Sequence, residues 1–188
     1  MRIEELRELI KAWLATSLAF GILITSDGEP FSRAIIIAAI TVGLGFVLHE
    51  LAHRYLAHKF GKHAEFKANN MMLFLSVITS FLGFVLAAPG AVIISGFVNR
   101  KEAGIIASAG PATNLAIAIL FVPFLFIFPA IAFYGMMINA WLALFNLIPF
   151  LGFDGHKIIE WNKLVYFGML ALAIILNIAH IIIRNFIR

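Results

Sequence analysis

The stretch Ala34-Ile-Ile-Ile-Ala-Ala-Ile-Thr-Val-Gly-Leu-Gly-Phe-Val-Leu48 runs 15 residues without a charge and leads directly into His49-Glu50-Leu51-Ala52-His53. A helix on the surface of a soluble protein carries a polar face opposite its apolar stripe, whereas one that is hydrophobic all round is buried or in lipid. Ionisable groups this deep in an apolar segment are costly and point to function. On a helix, residues i and i+4 share a face, so the imidazoles of His49 and His53 can hold one zinc ion. Glu50 lies about 100° further round, placed to take a proton from a water activated at that metal. The bland alternative is an amphipathic helix end whose His and Glu meet the lipid headgroups. The charge-free run ahead of Glu50 argues against it.

Outward from this segment the same composition continues. Ala68–Asn99, Ala103–Phe153 and Leu164–Ile183 are also free of charge, and the middle run alone is 51 residues. Of 188 residues, 62% are hydrophobic and 13% charged, against roughly 45–50% and 25% in soluble domains. A soluble globular domain, a disordered chain and a coiled coil are thereby excluded. A bilayer core needs about 20 apolar helical residues per crossing, so the chain reads as an all-α polytopic membrane protein. Five spans are expected over 9–26, 33–59, 104–127, 130–149 and 163–184. The lipid bilayer is then a partner of most of the chain, and residues 1–188 read as a single membrane-embedded domain with no soluble regulatory module. The acids of Met1-Arg-Ile-Glu-Glu-Leu-Arg-Glu8 do not suit a signal peptide, so the first apolar stretch is expected to stay as a span. Absence of cysteine excludes disulfides, thiolate metal sites and a cysteine nucleophile. The net charge of +4 is scattered over loops and gives no nucleic-acid signal. Nothing in the sequence signals an oligomeric state.

Residues 71–98 do not fit the pattern of simple crossings. Met71–Leu86 is short for a span, Ala87-Ala-Pro-Gly90 breaks it, and Ala91-Val-Ile-Ile-Ser95 has the β-branched content of a strand. A re-entrant, partly β element is expected, entering and leaving on one side. Charge counting agrees. With the N-terminus inside, one net crossing by 71–98 puts nine Lys and Arg inside and five outside; an in-and-out path gives eleven and three, a stronger positive-inside bias. Irregular backbone at membrane depth is tolerated only where it is buried in protein or lines a cavity. An exposed strand over Ala91, Val92, Ile93 and Ile94 could hold an unwound substrate by strand addition.

A catalytic zinc takes three protein ligands and keeps one position open. Candidates for the third are His58, His63, His156, His180, Asp154 and Glu160. Asp154 stands out because it ends the 51-residue charge-free run, within Asn146-Leu-Ile-Pro149-Phe-Leu-Gly152-Phe-Asp154-Gly155. Pro149 and Gly152 should stop the preceding helix and let the carboxylate hang from unwound backbone. The alternative is a plain surface aspartate in an Asp-Gly turn.

His49-Glu-Leu-Ala-His53, Gly110-Pro-Ala-Thr-Asn114 and the Asn146-to-Gly155 segment occur in the order H-E-x-x-H, G-P-x-x-N, N-x-x-P-x-x-x-[LF]-D-G. In this the chain resembles the site-2 proteases, intramembrane zinc metalloproteases, over roughly residues 33–160. The resemblance implies one zinc per chain held by His49, His53 and Asp154, with Glu50 as general base and Asn146 as a donor near the scissile carbonyl. It also implies a substrate that is a transmembrane segment of another protein, and a multi-pass protein of the cell membrane. Asn114, by default an interhelical hydrogen-bonding residue, is a further candidate for contact with substrate. Ala52 stands where many members have Gly, His156-Lys157 follow the Asp-Gly where Gly and Arg are common, and the segment from His53 to Gly110 is longer than in compact members. His49 lies about 24 Å into its helix, toward the cytoplasmic side, and Asp154 can reach it only if 71–98 returns to the side it entered. Two rivals explain part of this pattern: a membrane metal-binding or transport protein, which leaves Glu50 without a task, and an inactive substrate-binding homologue.

Overall fold

The computed structural model describes residues 2–85 and 89–187, with side chains described up to residue 183. Its helices are α1 (Ile3–Ser26), α2 (Phe31–Ala38), α3 (Leu44–Lys59), α4 (Asn70–Ser80), α5 (Arg100–Phe121), α6 (Pro129–Asn146), α7 (Asp154–Trp161) and α8 (Lys163–Ile187). Strands β1 (His63–Ala68) and β2 (Gly90–Ser95) form a two-stranded antiparallel sheet. Among the described residues, five helical stretches are long and apolar enough to cross a membrane: Ile3–Ser26, Phe31–Lys59, Arg100–Phe126, Pro129–Asn146 and Lys163–Ile183. The protein is a multi-pass, all-α membrane protein with a small sheet.

The second span is continuous from α2 to α3 through one π-helical turn, Ala39–Gly43. A π turn leaves carbonyls short of their helical partners, and in lipid these must be satisfied by protein. Trp13 Nε1 donates to the Ala39 carbonyl at 3.1 Å, and Asn139 Nδ2 to that of Thr41 at 3.3 Å. Gly43 and Gly45 admit these partners: a Cβ at Gly43 would overlap the Trp13 ring, and one at Gly45 the Asn139 amide. The two side chains therefore dock α1 and α6 on the span that carries His49 and His53.

α5 is the hub of the bundle, packed on α3, α6 and α7. Its N-terminus is fixed by a reciprocal cap, Asn99 Oδ1 accepting from the Glu102 amide and the Glu102 carboxylate from the Asn99 amide. Gly104 lets the Trp161 ring lie against its backbone, which brings α7 in beside it.

The excursion between the second and third spans closes on itself. His63 pairs with Ser95 and Ala68 with Gly90, so β1 leads away, α4 turns the chain, and β2 brings it back beside the start. Lys62 Nζ donates to the Phe97 carbonyl at 2.6 Å and lies 3.3 Å from Glu102, joining the end of α3 to the start of α5. The chain thus returns beside its own start, as an in-and-out path for 71–98 requires, though residues 86–88 lie outside the described ones. The sequence reading missed β1, the strand's partner. It also ran the fourth span to residue 149; the helix stops at Asn146, because Pro149 disfavours helical geometry in the residue before it and cannot donate to the preceding turn.

Candidate metal centre and catalytic site

α3 places His49 and His53 one turn apart, both buried. Each ring is held from behind. The His49 Nδ1–H donates to Asn114 Oδ1 on α5, and the His53 Nδ1–H donates to the Ile106 carbonyl at 2.8 Å. Neither oxygen can donate, so both protons sit on Nδ1 and both Nε2 lone pairs face the same space. Asn114 is fixed in turn, its Nδ2 donating to Asn139 Oδ1 at 2.9 Å and to the Gly45 carbonyl at 3.3 Å. A chain of buried amides thus runs from the π turn through Asn139 and Asn114 to the ring of His49.

Asp154 comes in from α7. The loop after α6 turns at Gly152, whose φ is +100°, and Gly155 lies so close to the Leu147 carbonyl that no Cβ fits. Asp154 is the first residue of α7 rather than a residue hanging from unwound backbone, as the sequence suggested. The helix N-terminus favours its negative charge.

The three ligand atoms form a nearly equilateral triangle. The two Nε2 atoms are 3.0 Å apart, and Asp154 Oδ2 lies 3.4 Å from that of His49 and 3.2 Å from that of His53. Ligands about 2.0–2.1 Å from a tetrahedral zinc are separated by about 3.3 Å, so the triangle suits one such ion with its fourth position open. Two neutral imidazole lone pairs and a carboxylate converging without a proton repel one another, and a cation between them reverses that sign. The backbone of α5 also makes room: a Cβ at Gly110 would overlap Nε2 of both histidines. Gly110→Ala is therefore expected to weaken metal binding by about tenfold or more, as displaced ligand geometry does elsewhere. Chelator competition on the purified variant measures this, and unchanged affinity would show that α5 does not shape the site.

Two cavities meet here, of about 230 and 340 Å³. Both are lined by His49, Glu50, Gly90, Asn146 and Gly152. The smaller extends between α1 and α6 along Phe20, Val42 and Leu142; the larger reaches His53, Asp154 and Lys157. Asn146 ends α6 at their junction, its Nδ2 donating to the Leu142 carbonyl at 2.9 Å.

The sheet brings its open edge to the same place. The Phe66 and Ala68 amides point away from β2, donating to Glu5 at 3.3 Å and Glu8 at 3.2 Å on α1. Main-chain groups alternate in direction along a strand, so His63, Glu65 and Lys67 are the β1 residues that bond β2, opposite Ser95, Ile93 and Ala91. The bond from the Asn69 amide to the Pro89 carbonyl, 2.9 Å, continues this register. The main-chain groups of Gly90, Val92 and Ile94 therefore form the outer edge, open in that no strand pairs with it among the described residues, and the Val92 amide is directed at the Glu50 carboxylate.

Of the residues singled out from sequence, His49, His53 and Asp154 converge, with Glu50, Asn146 and the β2 residues beside them. Asn114 lies behind His49. Among the other candidate ligands, His58 faces His63 at the end of α3, His156 pairs with Glu160 at 3.6 Å, and His180 packs on Phe133. The sequence reading missed Asn139, Glu5 and Glu8. Asn139 had a signal, as an isolated amide in a charge-free run; the two glutamates are meaningful only once β1 is known.

No protein-family model matches the chain, and no solved structure matches it. Curated proteins do. The chain is 41% identical over 139 residues to "Putative zinc metalloprotease MJ0611" of Methanocaldococcus jannaschii, covering 70% of this chain and 73% of that protein. It is 33% identical over 148 residues to "Putative zinc metalloprotease YwhC" of Bacillus subtilis, covering 64% and 66%. It is 28% identical over 176 residues to "Putative zinc metalloprotease Rip2" of Mycolicibacterium smegmatis, covering 81% and 68%. Identity of 41% across nearly three quarters of a relative leaves no room for chance similarity, and with two spaced motifs folding to one three-ligand cluster inside a five-span bundle, the chain belongs to the site-2 protease-like family of zinc metalloproteases.

Proposed function

We propose that the protein is an intramembrane endopeptidase with one zinc ion per chain, cleaving transmembrane segments of other proteins at a site toward the cytoplasmic face. The observation that carries this reading is the meeting of three elements at one point: the ligand triangle, the Glu50 carboxylate, and an open strand edge. Helical substrate shields its own peptide bonds, so a cleavable segment must first be unwound. An unwound segment exposes main-chain donors and acceptors that are costly in lipid, and the edge of Gly90, Val92 and Ile94 supplies partners for them.

His49, His53 and Asp154 hold the ion, and Asn114 is assigned to orienting His49 rather than to touching substrate. When bound, zinc supplies Lewis-acid polarisation of the scissile carbonyl and of the attacking water. Glu50 takes the proton of that water and delivers it to the leaving amine. Asn146 breaks its bond to the Leu142 carbonyl and donates to the carbonyl oxygen as negative charge develops there, in the manner of pre-organised donors. The polar cavity lined by Asp154 and Lys157 has room for the water consumed.

The test is incubation of purified protein with a panel of single-span substrates, with and without a chelator. Chelator-sensitive cleavage inside a span is expected; cleavage confined to soluble loops, or none, would overturn the reading. The strand register sharpens it. Proline lacks an amide hydrogen, so Ile94→Pro removes an open-edge donor without breaking the ladder. Cleavage is expected to fall about tenfold with zinc content unchanged, the worth of one lost hydrogen bond at a desolvated site. Ile93→Pro breaks the pairing with Glu65 instead, and its main effect should be on the stability of the sheet. Normal cleavage by a folded, zinc-loaded Ile94→Pro protein would remove the edge from the mechanism.

A further inference from the structure

A two-stranded sheet is at best marginal by itself, and each of its outer edges is a template for strand addition. In this protein one edge is open toward Glu50 and the other is closed by a helix. Glu5 and Glu8, one turn apart on α1, meet two of the three outward amides of β1: Glu5 Oε1 accepts from Phe66 and Glu8 Oε2 from Ala68. The Glu5 side chain is only 4% exposed and lies 2.7 Å from Arg54 Nε, on the residue that follows His53. Glu8 is held by Lys11 Nζ at 2.7 Å. Carboxylates accept and do not donate, so they satisfy outward amides without offering the donors a further strand requires.

We propose that Glu5 and Glu8 are positioning residues that stand in for a third strand: they lock β1 against α1 and, through the β1–β2 ladder, hold the open edge of β2 in register with Glu50. The proposal rests on the reading that β2 is the substrate platform. Each part of the arrangement has a consequence. Closure of the β1 edge leaves one edge for addition, so an unwound segment can land only on the side that faces the metal ligands. The Glu5–Arg54 pair joins the same clamp to α3 beside His53, so platform and metal site share one reference point. α1, otherwise a plain span, thereby sets where substrate sits.

The experiment uses the whole chain in detergent, with Glu8→Ala, Glu8→Gln and Glu5→Ala, and reads three quantities. These are amide hydrogen exchange over residues 63–68, KM and kcat on a cleaved single-span substrate, and zinc content. For Glu8→Ala, faster exchange at Ala68 is expected, with KM raised about tenfold, kcat within about twofold and zinc unchanged, as for a loss of uniform binding. Glu8→Gln keeps an acceptor and should recover most of the lost affinity. Glu5→Ala should do more, because Arg54 also loses its partner; if it fails to fold, Glu8→Ala alone decides. Unchanged exchange would overturn the clamp. Faster exchange with unchanged KM would show a purely structural contact and overturn the positioning role. If wild-type protein cleaves no span at all, the proteolytic reading fails, while exchange at Phe66 and Ala68 still decides whether the carboxylates hold the strand.

Discussion

Replacing Glu50 by Gln is expected to cut cleavage by about a thousandfold or more, within the range that a positioned general base contributes, while leaving metal content and fold unchanged. Glutamine keeps the size and the hydrogen-bonding oxygen of glutamate but cannot take a proton at neutral pH. Glu50 is not among the three converging ligands, so the ion has no reason to leave. The Val92 amide directed at the Glu50 carboxylate finds an acceptor in the amide oxygen too, so the sheet edge should stay in place. Metal analysis and single-turnover cleavage of the purified variant measure both halves. A variant that keeps zinc and loses only proteolysis separates a protease from a membrane metal carrier, in which the same His, His and Asp would work without a base. A Glu50→Gln protein that cleaves at wild-type rate would remove the general-base assignment.

How much of this was legible in the sequence follows from where the information resides. The spans were, because lipid imposes a composition that no packing detail can override; their boundaries moved by a few residues. His49, Glu50 and His53 were, because their relation is helical and local. Asp154 was, because one charge after 51 uncharged residues is conspicuous even without knowledge of its partners. β1 was written in the alternation of His63, Glu65 and Lys67 with Ala64, Phe66 and Ala68, but six residues of alternation between spans look like a polar loop until a partner strand is known. The π turn at Ala39–Gly43 has no comparable pattern. The side chains that brace it, Trp13 and Asn139, come from far away in sequence. Glu5 and Glu8 were illegible for the same reason, since their partners are amides of a strand some 60 residues away.

Removing the carboxylate of Asp154 should have the other large effect. Loss of an outer-shell partner already costs metal sites 10–100-fold in affinity, and loss of a ligand costs more. Asp154→Ala is therefore expected to weaken zinc binding by at least about a hundredfold and to abolish cleavage with it. His49 and His53 cannot compensate, because both are pinned through Nδ1 to α5 and cannot swing toward a new third partner. Glu160 cannot either: it lies on the exposed side of α7, paired with His156 at 3.6 Å. Asp154→Asn keeps the volume and one oxygen but removes the charge that offsets the ion, so it should fall between alanine and wild type. The fold should tolerate both, since α7 stays anchored by the packing of Gly155 on the end of α6 and of Trp161 on Gly104. Competition against a chelator of known affinity, followed by metal analysis of the separated protein, gives the ordering. Full occupancy and activity in Asp154→Ala would mean that the ion is held without α7. The return of the chain through β2, α5 and α6 to the histidines would then need another purpose.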